Sequence, residues 1–184
     1  MAVAAPPLLR GLPPVAAADA RLLILGSMPG QASLAAGRYY AHPRNAFWRI
    51  MGELFGFAAD LPYEARLQCL RANGVALWDV IAACERRGSL DADIAPASVR
   101  VNDFPAFFAA HPGIRRIAFN GAAAEAAFRR HVAPPPGISC QRLPSTSPAH
   151  AARGYEAKLA AWSALRGRTH EWASPFGARP GGGV

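Results

Sequence analysis

Short apolar blocks alternate along this chain with longer segments in which apolar residues recur every three or four positions. The blocks predict strands, and the longer segments predict amphipathic helices. The predicted strands are residues 21–25, 74–78, 114–119 and 138–143, and the predicted helices are residues 45–55, 63–72, 102–110, 121–131 and 154–165. Because strands that alternate with helices form parallel sheets covered on both faces, we expect an α/β fold, a three-layer α/β/α sandwich with a central, four-stranded, mainly parallel sheet.

The two ends of the chain depart from this pattern. Residues 1–20 are rich in alanine and proline and predict an irregular N-terminal arm. Residues 21–165 contain all of the predicted strands and helices, which fits one domain with a single core. Residues 166–184 combine glycine, proline and charge with little apolar surface, so we expect a disordered tail there.

Charge narrows the choice of partner only in part. The chain has 184 residues and a net charge of +8. An excess of basic residues favours a polyanionic partner such as nucleic acid, because arginine and lysine contact phosphates. The same excess also fits the codon bias of a GC-rich genome, so charge alone leaves both readings open. Lys158 is the single lysine, which argues against an enzyme that uses a lysine Schiff base.

Cysteine and histidine show no metal-binding pattern. Cys69, Cys84 and Cys140 are odd in number and widely separated, which argues against a disulfide framework and a structural zinc site. The five histidines lack metal-ligand spacing, so we expect no metal. No apolar run approaches the length of about 18 residues that a membrane helix needs, and the chain does not start with a charged segment leading into an apolar one. We therefore expect a cytoplasmic protein without membrane association.

Two loops of small and polar residues follow predicted strands. Residues 26–30 contain two glycines and follow the first strand, and residues 144–150 contain hydroxyl side chains and prolines and follow the last. Because the carboxyl ends of parallel strands lie at one edge of a sheet, both loops are expected to border one cleft. Residues 26–30 lack the glycine pattern and the lysine of nucleotide-phosphate loops. Together with Tyr39 and Tyr40, they favour a planar heterocycle such as a nucleobase.

Three motifs occur in order on this pattern: residues 26–30 (Gly-Ser-Met-Pro-Gly), residues 39–48 (Tyr-Tyr-Ala-His-Pro-Arg-Asn-Ala-Phe-Trp) and residues 143–150 (Leu-Pro-Ser-Thr-Ser-Pro-Ala-His). In this combination the chain resembles the uracil-DNA glycosylase superfamily over about residues 11–165, and most closely its hypoxanthine-DNA (deoxyinosine) glycosylase branch. The resemblance implies a monofunctional DNA glycosylase of base excision repair that flips deaminated bases out of DNA and hydrolyses the N-glycosidic bond. It implies hypoxanthine as the first base and uracil as the second, DNA as the partner, no cofactor and a monomeric enzyme.

The resemblance assigns the catalytic role to Asn45. Several members of the superfamily hold the hydrolytic water with Asp or Asn in the middle of the first loop, where this chain has Met28, which cannot hydrogen-bond a water usefully. The hypoxanthine branch implies that the amide of Asn45 takes this role. From the residues alone, a helix N-cap is the more common role for Asn45, because it begins a predicted helix. Met28 also motivates an alternative function, a non-catalytic nucleic-acid-binding module with a glycosylase-like fold.

Ser27, Met28 and Tyr40 are the base-binding residues expected around the first loop. The resemblance places the ring of Tyr40 where it stacks on the extruded base, a contact worth about 1–3 kcal/mol. Ser27 and Tyr40 are expected to offer backbone N–H groups to a base carbonyl. The residues alone leave Tyr40 open as an ordinary, partly buried tyrosine.

Asp79 and Asn120 follow predicted strands and are the remaining base-binding candidates. The resemblance places Asp79 where relatives hold a base-reading side chain, so that its carboxylate can accept an N–H from hypoxanthine or uracil. An aspartate after a strand more often caps a helix or pairs with a nearby cation, here Arg86 or Arg87. Asn120 precedes Gly121 and is more typical of turn chemistry than of base contact.

The loop after the last strand is the expected DNA-binding element. The resemblance implies that three hydroxyl residues grip DNA phosphates, namely Ser145, Thr146 and Ser147. His150 is expected to touch a phosphate or to meet charge on the leaving base. A helix-capping loop and a solvated histidine explain the same residues without DNA. Some relatives insert a large residue from this loop into the DNA, but Pro148 and Ala149 are small, so no inserted residue is predicted.

Overall fold

The structure is a computed structural model that describes residues 6–166. Its strands are β1 Leu8–Arg10, β2 Leu22–Gly26, β3 Val75–Asp79, β4 Ile81–Glu85, β5 Arg100–Val101, β6 Arg116–Asn120 and β7 Ser139–Leu143. Its helices are α1 Gln31–Ala36, α2 Phe47–Phe55, α3 Tyr63–Ala72, α4 Phe104–Ala110, α5 Ala122–His131 and α6 Tyr155–Trp162, with short 3-10 turns at Asp91–Asp93, Pro96–Ser98 and Ser163–Leu165.

The central sheet is parallel and has the strand order β3-β2-β6-β7. Successive side chains of a strand point to opposite faces, and β2 shows the consequence. Leu22 and Ile24 belong to a core shared with α2, α3 and α6, whereas Leu23 and Leu25 belong to a second core shared with α4 and α5. Helices therefore cover both faces, which confirms the predicted three-layer α/β/α sandwich with a four-stranded sheet.

The four parallel strands end at one edge of the sheet. Gly26 at the end of β2 pairs with Asp79 at the end of β3, and Asn120 at the end of β6 pairs with Leu143 at the end of β7. The loops that leave these four positions are thereby brought together. The fold thus places the first and last predicted loops beside each other, as the parallel arrangement requires.

A second, antiparallel sheet was not predicted. It has the strand order β1-β4-β5, and β1 consists of residues from the predicted irregular arm. The expectation for residues 8–10 is therefore corrected. Strands β1 and β5 have three and two residues, too few for the alternation that identifies a strand in a sequence. Helix α1 was not predicted either, because its six residues are too few to show a helical repeat of apolar positions.

The predicted limits of several segments also change, by three residues or fewer for the helices and strands. Helix α2 begins at Phe47, two residues after the predicted start, and Ala46 is its N-cap. Of the predicted disordered tail, residues 167–184 lie outside the described residues. Arg166 is described, and its Nε donates a hydrogen bond of 3.0 Å to the backbone oxygen of Leu54. Among residues 6–166, no helix has the length and apolar character needed to cross a bilayer.

Candidate active site

A cavity of about 430 Å³ opens at the carboxyl ends of the four parallel strands. It is lined by the loops that follow β2 and β7, by Asp79 and Asn120 at the ends of β3 and β6, and by the segment before α2. Nine of the predicted site residues lie in its wall: Ser27, Met28, Tyr40, Asn45, Asp79, Asn120, Ser145, Thr146 and Ser147. His150 is exposed and lies outside this wall, so the structure does not join it to the other candidates.

Gly26 lets the side chains of Asp79 and Tyr40 approach the end of β2. A Cβ atom at this position would overlap with Oδ1 of Asp79 and would lie 3.4 Å from the hydroxyl of Tyr40. Asp79 is only 3% exposed, so it cannot simply swing into solvent. The absence of a side chain at Gly26 is therefore what allows the carboxyl group and the phenol to share this wall of the cavity.

The carboxyl group of Asp79 is buried without a compensating charge contact. Burial and, to a smaller extent, the charge of Asp91 raise the pKa of Asp79 to about 7, and Arg86 opposes the rise. Within the described residues, Oδ2 has no hydrogen-bond partner and the side chain forms no ion pair. The alternatives of a helix cap and of a salt bridge with Arg86 or Arg87 are thus not what the structure shows. Near neutral pH, this group is present in both its protonated and its ionised form.

Arg86 lies beneath the first loop and is 1% exposed. Its Nη2 donates to the backbone oxygen of Pro29, while Nε and Nη1 have no partner in the described part of the chain. Burying a guanidinium with two unpaired nitrogens is costly, so this positive charge is a strong feature of the site's electrostatics. The sequence offered no signal for it beyond its proximity to Asp79.

Tyr40 is fixed against the start of α2. Its ring stacks on Phe47 with the centroids 3.8 Å apart and the planes at 20°. Its backbone has a φ of +54°, a left-handed conformation that is uncommon for a bulky residue. Burial, followed by the charge of Asp79, raises the pKa of the phenol, and the nearby side chain of Asn120 opposes the rise; the phenol oxygen makes no hydrogen bond of ordinary geometry with a described residue. Because Phe47 covers one face of the ring, a base can stack only on the other.

Asn45 combines a structural contact with an unused amide. Its Oδ1 accepts a hydrogen bond of 3.0 Å from the backbone N–H of Phe47, and its own N–H donates to the oxygen of His42 at 2.9 Å. Asn45 therefore stabilises the start of α2 from the position before the N-cap. Its Nδ2 donates to no other described residue, and the side chain is half-buried in the cavity wall. The carboxamide retains one lone pair and two N–H donors that can hold a water.

Asn120 and Thr146 bind each other across two loops. Asn120 Nδ2 donates to Thr146 Oγ1 at 2.9 Å, and the backbone N–H of Thr146 donates to Asn120 Oδ1, also at 2.9 Å. Thr146 is 1% exposed, and its backbone oxygen accepts from Ala46 at 3.0 Å. Its hydroxyl oxygen accepts from Asn120 and is buried, so phosphate binding by Thr146 stays a prediction. Both residues hold the end of β6 against the loop after β7.

Ser145 and Ser147 keep their hydroxyl protons available. The backbone N–H of Ser147 donates to Ser145 Oγ, and that of Ala149 donates to Ser147 Oγ, each at 3.2 Å. In both bonds the hydroxyl oxygen accepts, so each O–H remains free to donate to an external oxygen. These two hydrogen bonds also explain how the loop after β7 folds without DNA, so phosphate binding by the two serines stays a prediction.

The first loop offers backbone donors beside a buried methionine. The N–H groups of Ser27 and Met28 have no hydrogen-bond partner among the residues described. The side chain of Met28 is 7% exposed and packs with Ile81 and Cys84, so its role is packing. The hydroxyl of Ser27 donates to Asp91 Oδ1 at 2.6 Å.

Residues 89–91 complete the rim of the cavity, and sequence analysis missed them. Ser89 Oγ accepts a hydrogen bond of 3.0 Å from the backbone N–H of Gln31, and Asp91 accepts the hydroxyl of Ser27. Leu90, between them, is 52% exposed. These partners are 58 and 64 residues apart in the chain, so no local pattern could have indicated the contacts.

The arrangement can bind a planar, hydrogen-bonding heterocycle. It supplies the ring of Tyr40, backbone N–H groups for a carbonyl oxygen and a carboxyl group that can accept or donate a proton. In the described part of the chain, no group of three His, Cys, Asp or Glu side chains is arranged to hold a metal ion.

Comparisons with known proteins agree on one family. The sequence model of the Uracil DNA glycosylase superfamily matches residues 13–166. A hypoxanthine DNA glycosylase from Methanosarcina barkeri is 31% identical over 174 residues, which cover 91% of this chain and 97% of the relative. One from Methanosarcina acetivorans is 40% identical over 113 residues, covering 61% of this chain and 70% of the relative. A solution NMR structure of a uracil DNA glycosylase candidate from Methanosarcina acetivorans superposes with a TM-score of 0.69 at 34% identity, covering 86% of this chain and 99% of that one.

Proposed function

The chain belongs to the uracil DNA glycosylase superfamily, and we propose that it is a monofunctional DNA glycosylase that removes deaminated bases, hypoxanthine first and uracil second. One observation supports this most: a single cavity joins a fixed aromatic ring, free backbone donors, a buried carboxyl group and an amide with unused donors. Binding a flipped lactam base requires the first three, and positioning a water requires the fourth.

The binding step places the damaged base in the cavity. The nucleotide rotates out of the duplex, and its base stacks on the free face of Tyr40, since Phe47 covers the other face. The N–H groups of Ser27 and Met28 donate to the base carbonyl, and Asp79 meets the ring N–H. The hydroxyls of Ser145 and Ser147 donate to DNA phosphates and hold the strand while the base is extruded.

The chemical step is hydrolysis of the N-glycosidic bond. The bond between C1′ and the base nitrogen breaks, its electron pair leaves with the base, and the sugar passes through an oxocarbenium-like state. A water held by Asn45 forms the new bond to C1′, gives up one proton to solvent, and leaves an abasic deoxyribose. Backbone donors aimed at the carbonyl stabilise the negative charge that develops on the base, the kind of interaction that usually contributes most to catalysis.

Arg86 and Asp79 set the charge around the leaving base. The buried guanidinium stabilises negative charge in the cavity, because no carboxylate among the described residues neutralises it directly. When protonated, Asp79 can donate a hydrogen bond to the departing base; when ionised, it can only accept one. The pKa of about 7 makes both states accessible near neutral pH.

The rest of the proposal concerns substrate range, assembly and location. Hypoxanthine takes precedence because two relatives are named for it, while uracil shares its carbonyl and adjacent ring N–H. Every group assigned here comes from one chain, so we propose that the enzyme acts as a monomer. Cytoplasmic location, expected from the sequence, stays a prediction.

Base excision itself tests the proposal. Duplexes with deoxyinosine, deoxyuridine or no lesion are incubated with excess protein, and abasic sites are then cleaved with alkali. We expect cleavage at deoxyinosine, slower cleavage at deoxyuridine and none in the undamaged duplex. Binding without cleavage of any duplex would instead favour the non-catalytic module that Met28 suggests.

Asn45→Ala separates catalysis from binding. Loss of the water-holding amide should slow excision about 100-fold while DNA affinity is kept. Asn73→Ala is the matched control, because the amide of Asn73 binds the backbone oxygen of Cys69 at the end of α3, outside the cavity wall. Equal excision by Asn45→Ala and Asn73→Ala would remove Asn45 from the mechanism.

A further inference from the structure

A second cavity of about 190 Å³ lies behind the wall formed by Asn45. Its lining contains three basic side chains and no acidic one: Pro43, Arg44, Asn45, Ala46, Arg49, Thr146, Tyr155 and Lys158. We call it the cation cavity. Asn45 and Thr146 also line the main cavity, so the two spaces share one wall.

Lys158 is the unusual member of this lining. It is the single lysine of the chain and is only 5% exposed. Its Nζ makes one hydrogen bond, 3.2 Å long, to the backbone oxygen of Ser147, and no carboxylate pairs with it in the described residues. An ammonium group has three donors, so two remain unused. Burial lowers the pKa of Lys158, a cost that an anion beside it would offset.

The other two cations are positioned around the same space. Arg49 places its guanidinium 3.9 Å above the ring centroid of Tyr155, which holds the exposed side chain across the cavity wall. Arg44 is also exposed, and neither arginine forms an ion pair with a described residue. Glu53 and Glu156 act electrostatically on Tyr155, but neither lies in the lining. The local charge therefore calls for a compact anion.

We propose that the cation cavity binds one phosphodiester of the DNA strand that carries the extruded nucleotide. The proposal rests on the proposed function, which places that nucleotide on the other side of Asn45. A phosphate in this space would accept hydrogen bonds from Lys158 and Arg49, and charge-assisted bonds of this kind are about twice as strong as neutral ones. Holding this phosphate next to Asn45 would fix the sugar against the water that attacks it.

The affinity of the protein for DNA in which one phosphate is made uncharged tests the proposal without requiring catalysis. The probe is a duplex with a tetrahydrofuran abasic analogue and a single methylphosphonate, moved through the phosphates that flank the analogue. We expect one position to weaken binding of the wild-type protein about tenfold, because its charge-assisted contacts to Lys158 and Arg49 are lost. Lys158→Met should weaken binding of the unmodified duplex by part of this factor, and its further loss at that position should be smaller than that of the wild-type protein, because only Arg49 then contacts the phosphate.

Three further variants keep the test decisive. Lys158→Arg should restore most of the affinity, and Arg49→Gln gives a second measure at an exposed position if Lys158→Met does not fold. Arg21→Gln is the control for bulk charge, since Arg21 is exposed at the opposite end of β2. The slope of log affinity against log salt should fall by about 0.9 for Lys158→Met and for Arg49→Gln if each loses one contact.

Two outcomes would overturn the proposal. One is a loss of affinity that does not depend on methylphosphonate position, and the other is an equal loss in Arg21→Gln. Excision of hypoxanthine by the wild-type protein is measured separately. Excision without a position-specific effect would refute the phosphate site alone, whereas a position-specific effect without excision would refute the glycosylase function alone.

Discussion

Replacing Asp79 by asparagine should stabilise the protein at alkaline pH and slow the reaction. The carboxyl group is 3% exposed, and its Oδ2 has no hydrogen-bond partner among the described residues. Its pKa rises from an ordinary 3.8 to about 7. Each pKa unit corresponds to about 1.4 kcal/mol, so ionising Asp79 in the folded protein costs about 4 kcal/mol of folding free energy.

The direction of this pH dependence follows from how many protons Asp79 binds in the folded and in the unfolded state. Between about pH 4 and pH 7 the folded state holds this proton and the unfolded state does not. The folded state is therefore most stable, relative to the unfolded state, below pH 3.8, and the contribution of Asp79 to this stability is lost as pH rises through about 7. Asparagine carries no charge at any of these values, so Asp79→Asn avoids the loss.

Urea unfolding at pH 5 and pH 8 measures the effect. Because part of the loss already occurs below pH 5, the advantage of Asp79→Asn should grow by about 2.5 kcal/mol between these two values. The exposed Asp60 supplies the control variant, Asp60→Asn, for which the difference from wild type should not grow. A constant difference between Asp79→Asn and wild type would refute the argument that this carboxylate is buried at a cost.

Activity provides the second half of the same test. A residue that costs stability and serves function is expected to yield a more stable and slower enzyme when replaced. Asp79→Asn should therefore slow excision of hypoxanthine under single-turnover conditions. Unchanged excision at all pH values would show that the carboxyl group does not contact the base.

Three further substitutions have defined outcomes. Gly26→Ala should destabilise the protein by about 1–3 kcal/mol in urea and reduce excision, because the new methyl group displaces Asp79. The control Gly154→Ala places its methyl group in open space and should change stability and excision far less. Asn120→Ala should cost about 1–3 kcal/mol of unfolding free energy, since the N–H and hydroxyl of buried Thr146 lose their partner; a loss below about 0.5 kcal/mol would contradict this. Tyr40→Phe should keep the stack and excise normally with unchanged or higher melting temperature, and a large loss of excision would show that the phenol oxygen reads the base.

The central strands β2 and β3 were predictable because they are apolar blocks buried on both sides. Residues 21–25 and 74–78 match β2 and β3 to within one residue at each end. The antiparallel sheet could not be predicted, since β1 and β5 are stabilised by pairing with β4 and not by a local pattern. Short elements of this kind depend on tertiary contacts.

The sequence predicted the site residues that lie at the ends of strands. It did not predict those that reach the site through contacts with residues far away in the chain. Residues at the ends of parallel strands must share an edge, which is why Ser27, Asp79 and Asn120 meet in one cavity. Burial of Arg86 and the bond between Ser27 and Asp91 result from how the loop after β4 folds back. No spacing in the sequence encodes that path, and the same is true of the cations gathered around Lys158.

Release of the free base is the most direct test of the account. Wild-type protein in excess is mixed with a deoxyinosine duplex, and free hypoxanthine is quantified by mass spectrometry beside the alkali-labile sites. We predict one hypoxanthine for each abasic site, and a rate about 100-fold lower for Asn45→Ala. A duplex that is bound but retains its hypoxanthine, with no alkali-labile sites, would contradict the account.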